Sequence, residues 1–291
     1  MSQRTWAPTA ALVGVTAIWG STFVVVKDAV EKMPVTDFLT WRFGIAALAM
    51  LTLRPRSVAR LGREGRRNGA VVGVALGAGY LLQTLGLQHT SAAVSGFITG
   101  MFVMLTPLIA AVVLRKPPAG PAWAAAGIAT AGLGLLSLHG FSMGIGELLT
   151  LGCALSFACH IVGLGEWSSR HDAYGLAVVQ LLTTAVMCAA VAVPGGLVVP
   201  PDASVWGALV LTALAATALA FVVQTWAQAH LAPTRAAVIM TMEPVFSGVF
   251  AVAVAGEHLG LRTLAGAALV LAAMLLTEVA GDAPVVERLE V

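Results

Sequence analysis

Runs of about 20 apolar residues follow one another along the chain, with only short polar breaks between them. A run of that length crosses a hydrocarbon core of about 30 Å as a helix. The pattern predicts ten, over 8–27, 36–54, 69–88, 91–114, 121–138, 147–166, 174–193, 204–226, 233–254 and 261–279. The period-two alternation of a lipid-facing barrel strand is absent. The expected fold class is therefore all-α integral membrane, with ten transmembrane helices. The longest break, about 55–68, is a short basic stretch without room for a core of its own. Whatever the protein does must be done inside the helices.

Composition agrees with the pattern. The chain is 58% hydrophobic and 10% charged, with a mean hydropathy of +0.90, against roughly 25% charged residues in a soluble domain. The sixteen Lys and Arg residues are spread unevenly, and the positive-inside rule turns that bias into an orientation. With the N-terminus in the cytoplasm, Arg4, the cluster Arg54, Arg56, Arg60, Arg63, Arg66 and Arg67, then Arg115, Lys116, Arg170, Arg235 and Arg288 lie inside. Lys27, Lys32 and Arg262 lie outside, and Arg42 falls within the second span. Both termini are expected on the cytoplasmic side. The arginine cluster can be read as a patch for nucleic acid or lipid head groups, but it is expected to be a plain topology determinant. A cleaved signal peptide is not expected at the start, because Lys27 closes a full-length span that has a counterpart later in the chain. Cys153, Cys159 and Cys188 all fall within predicted spans, form no CxxC pattern and are expected to be small packing residues.

That counterpart belongs to a repeat. "AIWGSTFV" at 17–24 aligns with "LSFACHIV" at 155–162, a shift of 138 that also brings Arg42 onto Gln180. "LLQTLGLQH" at 81–89 aligns with "VVQTWAQAH" at 222–230 at a shift of 141. "LTPLIAAV" at 105–112 aligns with "MEPVFSGV" at 242–249, placing Pro107 on Pro244 at a shift of 137. The drop of four is about one helical turn, so an extra turn is expected in the fourth span. The units are then 1–138 (spans 1–5) and 139–280 (spans 6–10), followed by a cytoplasmic tail at 281–291 whose Leu289-Glu290-Val291 end resembles the start of an appended tag. Five crossings is an odd number, so the two copies enter the membrane from opposite sides. Such inverted repeats around a central cavity are a transporter signature.

Polar groups inside the spans mark the candidate site. Glu243 lies about ten residues into span 9, where an ionised carboxylate costs about 2.5–3.5 kcal/mol on insertion scales. Pro244 beside it removes a backbone donor and should free the carbonyl of Met240; Pro107 should do the same to Val103 in span 4. Both prolines are expected to bend their helices. Glu243 can serve as a site for a substrate amine or a proton, as a structural partner of Arg42, or as a protonated acid bonded to a freed carbonyl. Trp19, Ser21 and Thr22 in span 1, Tyr80 and Gln83 in span 3, His160 in span 6, and Gln224 and Gln228 in span 8 complete the substrate-binding set. Each Gln and Thr can equally be an interhelical hydrogen bond of about 0.6 kcal/mol, and His160 a satisfied core histidine. Trp41, Trp167 and Trp206 read as interfacial anchors. Gly69, Gly73 and Gly77, with Gly96 and Gly100, read as close-packing positions. Spans 5 and 10 carry few polar groups and are expected to be peripheral or subunit-contacting.

What is missing narrows the classes. None of the three lysines stands in a P-loop, there is no HExxH, and no Ser or Cys has a plausible His and acid beside it. No catalysis, no cofactor and no metal is expected.

"IWGSTFVVVK" at 18–27, "WRF" at 41–43, "QTLGLQHTSAAVSGFITGMFVMLTPLIA" at 83–110 and "QTWAQAHLAPTRAAVIMTMEPVFSGVFAVAVAGEHL" at 224–259 resemble the ten-helix EamA-type branch of the drug/metabolite transporter superfamily. The resemblance covers the chain to about residue 280. It implies two five-helix repeats, alternating access to a central cavity, and export of small metabolites by an inner-membrane protein, and within the branch the chain resembles amino-acid exporters, including the aromatic amino-acid exporter group. It supports Trp19-Gly20-Ser21, Arg42 and Glu243-Pro244 as functional positions. Arg115-Lys116-Pro117-Pro118 departs from the Gly256-Glu257 type of ending after span 9, so no matching acid is expected in the first half. The expected partners are a small-molecule substrate, protons and the lipid bilayer, with no nucleic acid, in a monomer or homodimer. Hydrophobic-cation efflux and exchange of nucleotide sugars or phosphorylated metabolites are the alternatives.

Overall fold

A computed structural model describes residues 3–90, 92–115, 120–137, 144–255 and 260–280, and every regular element among them is helical. In chain order these are α1 (Gln3–Val30), α2 (Val35–Leu53), α3 (Ser57–Arg60), α4 (Gly62–Leu87), α5 (Ala92–Gly100), α6 (Phe102–Val113), α7 (Gly120–Ser137), α8 (Ile145–Trp167), α9 (Ala173–Ala192), α10 (Ala203–Ala213), a π turn (Leu214–Leu219), α11 (Ala220–Gln228), α12 (Pro233–Met240), α13 (Glu243–Ala255) and α14 (Leu261–Ala280). Among the described residues, five stretches are long and apolar enough to cross a membrane outright: Val35–Leu53, Gly62–Gly86, Ile145–Arg170, Ala173–Gly195 and Ala203–Gln228. The boundary at 138–139, Lys116 with Pro117 and Pro118, the Gly256-Glu257 ending and the tail at 281–291 lie outside the described residues.

Three features depart from expectation. The basic break is helical: α3 and the start of α4 occupy it, because its Arg, Glu and Leu residues are good helix formers and Glu64 suits the first turn of α4. Next, the runs at 91–114 and 233–254 are each split, and not where the prolines would split them. The interruptions are at Met101 and at Thr241–Met242. There the Met101 N–H donates to Ile98 O at 3.1 Å, and the Met242 N–H to Ile239 O at 3.0 Å, each a three-residue reach that closes a helix end. Pro107 lies inside the continuous α6. Pro244 is the second residue of α13, where a missing N–H leaves no helical bond unmade. Finally, the run at 204–226 contains the π turn.

Element starts recur at fixed spacing. Gly62 and Ala203, Ala92 and Pro233, Phe102 and Glu243, and Gly120 and Leu261 each stand 141 residues apart, and Val35 and Ala173 stand 138 apart. On this register Pro107 falls opposite Gly248, one turn beyond Pro244. The two prolines are therefore not equivalent positions, and the expected extra turn does not precede α6.

Packing joins elements that are distant in sequence: α4 on α8 and α9, α2 on α9, α1 on α13 and α11, α12 on α6, and α7 with α14 foremost on each other. Small residues permit this where no water drives association. A Cβ added at Gly73 would stand 2.7 Å from the backbone oxygen of Gln180, and one at Gly69 would stand 2.9 Å from Val179. The Thr184 hydroxyl, in addition, donates to Gly73 O at 3.1 Å. The same closeness joins α7 to α14, where Gly132 meets Gly266 O. The two ends of the molecule differ in their fastenings. At the arginine-rich end, Arg54 lies over the Tyr174 ring at 4.8 Å and the Tyr174 hydroxyl donates to Met50 O at 2.8 Å. At the other end, Lys32 Nζ donates to Asp202 at 2.9 Å and Ser204 at 2.8 Å, and Asp202 caps α10 through the Val205 N–H. Lys32, then that N–H and the Ser204 hydroxyl, hold the Asp202 carboxyl well below the usual range.

Candidate functional site

The site forms where α1, α2, α4, α8 and α9 approach the π turn, α11 and the start of α13. Its frame is aromatic. Trp19 meets Phe221 at 5.8 Å between ring centroids, and Phe157 meets Tyr80 at 5.5 Å. These are the same contact made twice, since Phe157 stands 138 residues after Trp19 and Phe221 stands 141 after Tyr80. Phe43 adds an edge-on contact to Tyr80 at 4.9 Å.

The π turn supplies the polar centre. A π turn displaces backbone carbonyls from the regular ladder, and an unpaired carbonyl in hydrocarbon costs several kcal/mol. Here the carbonyl of Ala216 is served twice over. The Trp19 indole N–H donates to it at 2.8 Å, and Arg42 Nη2 donates at 3.2 Å. Arg42 Nε donates in turn to Thr217 Oγ1 at 2.7 Å. The guanidinium, only 7% exposed, also lies 5.8 Å and 5.9 Å from the centroids of Phe43 and Tyr80, within the range of a cation–π attraction.

Glu243 opens α13 and is half-buried. Among the described residues no ion pair within 4.0 Å joins it to Arg42, whose guanidinium bonds Thr217 and Ala216 instead. Arg42, Glu243 and Tyr80 still lie within electrostatic reach of one another.

The remaining predicted positions divide by what they already bond. His160, 2% exposed, is 2.8 Å from Gln180 Oε1, and Gln180 Nε2 donates to Thr225 at 2.9 Å, a closed neutral triad. Gln228 donates to Ile161 O at 2.8 Å, joining α11 to α8, and accepts from Gln224 of its own helix at 3.0 Å. Gln224 also approaches Met240 Sδ at 3.5 Å, while its Oε1 is buried without a partner. Gln83 donates to Thr99 at 3.2 Å. Ser21 and Thr22 donate to Ile18 O and Trp19 O of their own helix. The structure thus gathers Trp19, Tyr80, Arg42 and Glu243 around one aromatic enclosure. Thr217, Phe43, Phe157 and Phe221 were missed from sequence. The repeat was a usable signal for Phe157 and Phe221, because the shifts that align the halves carry Trp19 and Tyr80 onto them.

Comparison with known proteins agrees with this architecture. The EamA-like transporter family matches residues 7–138 and, a second time, 144–279. An uncharacterised transporter of Archaeoglobus fulgidus is 35% identical over 263 residues, covering 90% of this chain and 82% of that protein. A protein of known crystal structure shares the fold with a TM-score of 0.76 at 20% identity, over 92% of this chain and 95% of that one.

Proposed function

The chain belongs to the EamA-like transporter family, and from that premise we propose that it exports amino acids or similar small amphiphilic metabolites from the cytoplasm by alternating access. The double family match and the element starts repeating 141 residues apart support two five-helix units, 1–138 and 139–280, threaded oppositely through an inner membrane. The arginine distribution supports cytoplasmic termini. In this reading the two halves rock around the aromatic enclosure and open it to one side at a time.

The arrangement that supports this substrate class is the Arg42 guanidinium lying over Phe43 and Tyr80 beside the Trp19, Phe157 and Phe221 rings, with the Glu243 carboxylate within electrostatic reach of it. A zwitterion with an apolar side chain matches that array, with its carboxylate toward Arg42 and its ammonium toward Glu243. A phosphorylated substrate would need several cations to hold its oxygens, and Arg42 is the cation at this site. A hydrophobic cation would find Glu243 and the aromatic faces attractive but Arg42 repulsive. Trp19, Tyr80, Gln83 and Glu243 are then substrate-facing, and Glu243 is the group that can couple flux to protons. Ser21, Thr22, His160, Gln224 and Gln228 support the enclosure through the bonds described above.

The test is uptake into proteoliposomes across a panel of amino acids, quaternary cations and nucleotide sugars. Amino-acid flux that loses its pH dependence in Glu243→Gln is the expected result. Absence of amino-acid flux overturns the substrate class, and an unchanged pH profile removes Glu243 as the proton site.

A further inference from the structure

Away from this site, α4, α6 and α8 enclose a groove on the lipid-facing surface. Val71 and Ala75 of α4, Ile109 and Val113 of α6, and Cys159 and Trp167 of α8 line it. Its walls are almost wholly apolar, and Val71, Val113 and Cys159 stand exposed along it. From Cys159 to Trp167 is eight residues, about 12 Å of helix. The groove therefore runs from the tryptophan at the arginine-rich end into the depth of the hydrocarbon region.

The charges near its Trp167 end carry a positive excess. Arg67 stands one turn before Val71 on the same helical face, and Arg115 directly follows the lining residue Leu114. The charged group on the wall itself is Glu166, and Arg170 of the following turn is bonded to it, leaving the positive charge of Arg67 and Arg115 in excess. Arg115 carries a second mark. Its φ is 52°, making it the one described non-glycine residue with a left-handed backbone, at the position after a helix end where glycine is usual. A cationic side chain kept at a position that favours glycine is a reason to look for what it binds.

We infer that this groove is a binding site for an anionic glycerophospholipid, with one acyl chain along Val71, Ile109 and Cys159 and the phosphate held between Arg67 and Arg115. A basic pocket between helices, immediately beyond an apolar slot, is the arrangement that selects an acidic head group over a zwitterionic one. The inference rests on the chain being an integral membrane protein and not on what it transports.

The test uses the purified full chain in detergent, with native mass spectrometry and thermal melting, after adding phosphatidylglycerol or phosphatidylcholine with the same acyl chains. Phosphatidylglycerol adducts should outlast phosphatidylcholine adducts and raise the melting temperature by several degrees. Arg115→Gly removes the charge while suiting the left-handed backbone, so it should fold and should lower the preference for phosphatidylglycerol severalfold. Adding Arg67→Gln should abolish the preference. Cys159→Trp fills the slot and should reduce adducts of either lipid with both arginines in place. Equal retention of the two lipids by the parent chain, or an undiminished preference in Arg115→Gly, would overturn the inference. Retention unaffected by Cys159→Trp would also overturn it, assigning the lipid to scattered surface arginines.

Discussion

The two halves make the same aromatic contact and fill the space beside it differently. In the second half, Gln180 stands where the first half has Arg42, and it closes a neutral triad with His160 and Thr225 in which each group answers another. Arg42 has no such closed set. It reaches from α2 into the π turn of the other half, and its charge rests on Thr217, a backbone oxygen and two ring faces. In the function proposed above, the network satisfied within itself serves as scaffolding, and the buried cation bonded to neutral oxygens and ring faces is the group left to meet a substrate anion.

The sharpest way to break this contrast is to remove both members. Hydrogen bonds to a charged group contribute about 1.5–3 kcal/mol, and 1.4 kcal/mol is tenfold, so Arg42→Met should lower proteoliposome uptake by about 10–100-fold. Gln180→Met should leave uptake within about threefold while lowering stability by about 1–3 kcal/mol, because His160 and Thr225 lose their partner. Equal losses of uptake would remove the distinction. A less direct probe disturbs the triad from behind. In Gly73→Ala the new Cβ would press on the backbone of Gln180, 2.7 Å away, and overpacking of this kind costs about 1–3 kcal/mol. A clear drop in melting temperature is expected, against little change in Gly14→Ala, where a Cβ meets nothing within 4 Å. The smallest effect should come from Trp19→Phe, which keeps a ring against Phe221 but gives up the indole donor. Arg42 still serves Ala216, so melting in detergent should report a loss of about 1 kcal/mol.

How much of this could be read in the sequence depended on whether hydrophobicity carried the information. The apolar runs locate the helices because burial in lipid demands them, and Gln83 with Gln224 gave away the repeat because a polar side chain in a span stands out. Phe157 and Phe221 did not stand out, since in sequence an aromatic residue packed against other rings looks the same as one facing lipid. The stretch Leu214–Leu219 has no residue that announces a π turn; it is fixed by tertiary bonds from Trp19 and Arg42. Met101 and Met242 carry no breaker signal in sequence, whereas the prolines do, although a helix ends wherever its next carbonyl finds another donor. The arginines at 54–67 mark exposure, and an exposed helix is as rich in charge as a connection is.

The π turn has one more consequence. It accommodates one residue beyond what a regular α-helix would fit into the same rise, and one residue is worth about 100° of rotation. Everything after it, from Phe221 through Gln224 and Thr225 to Gln228, is thereby brought round to its partners on α1, α8, α9 and α12. Without that added residue the segment would still be apolar and long enough to span the bilayer, yet its glutamines would be out of phase with the protein and turned toward the acyl chains.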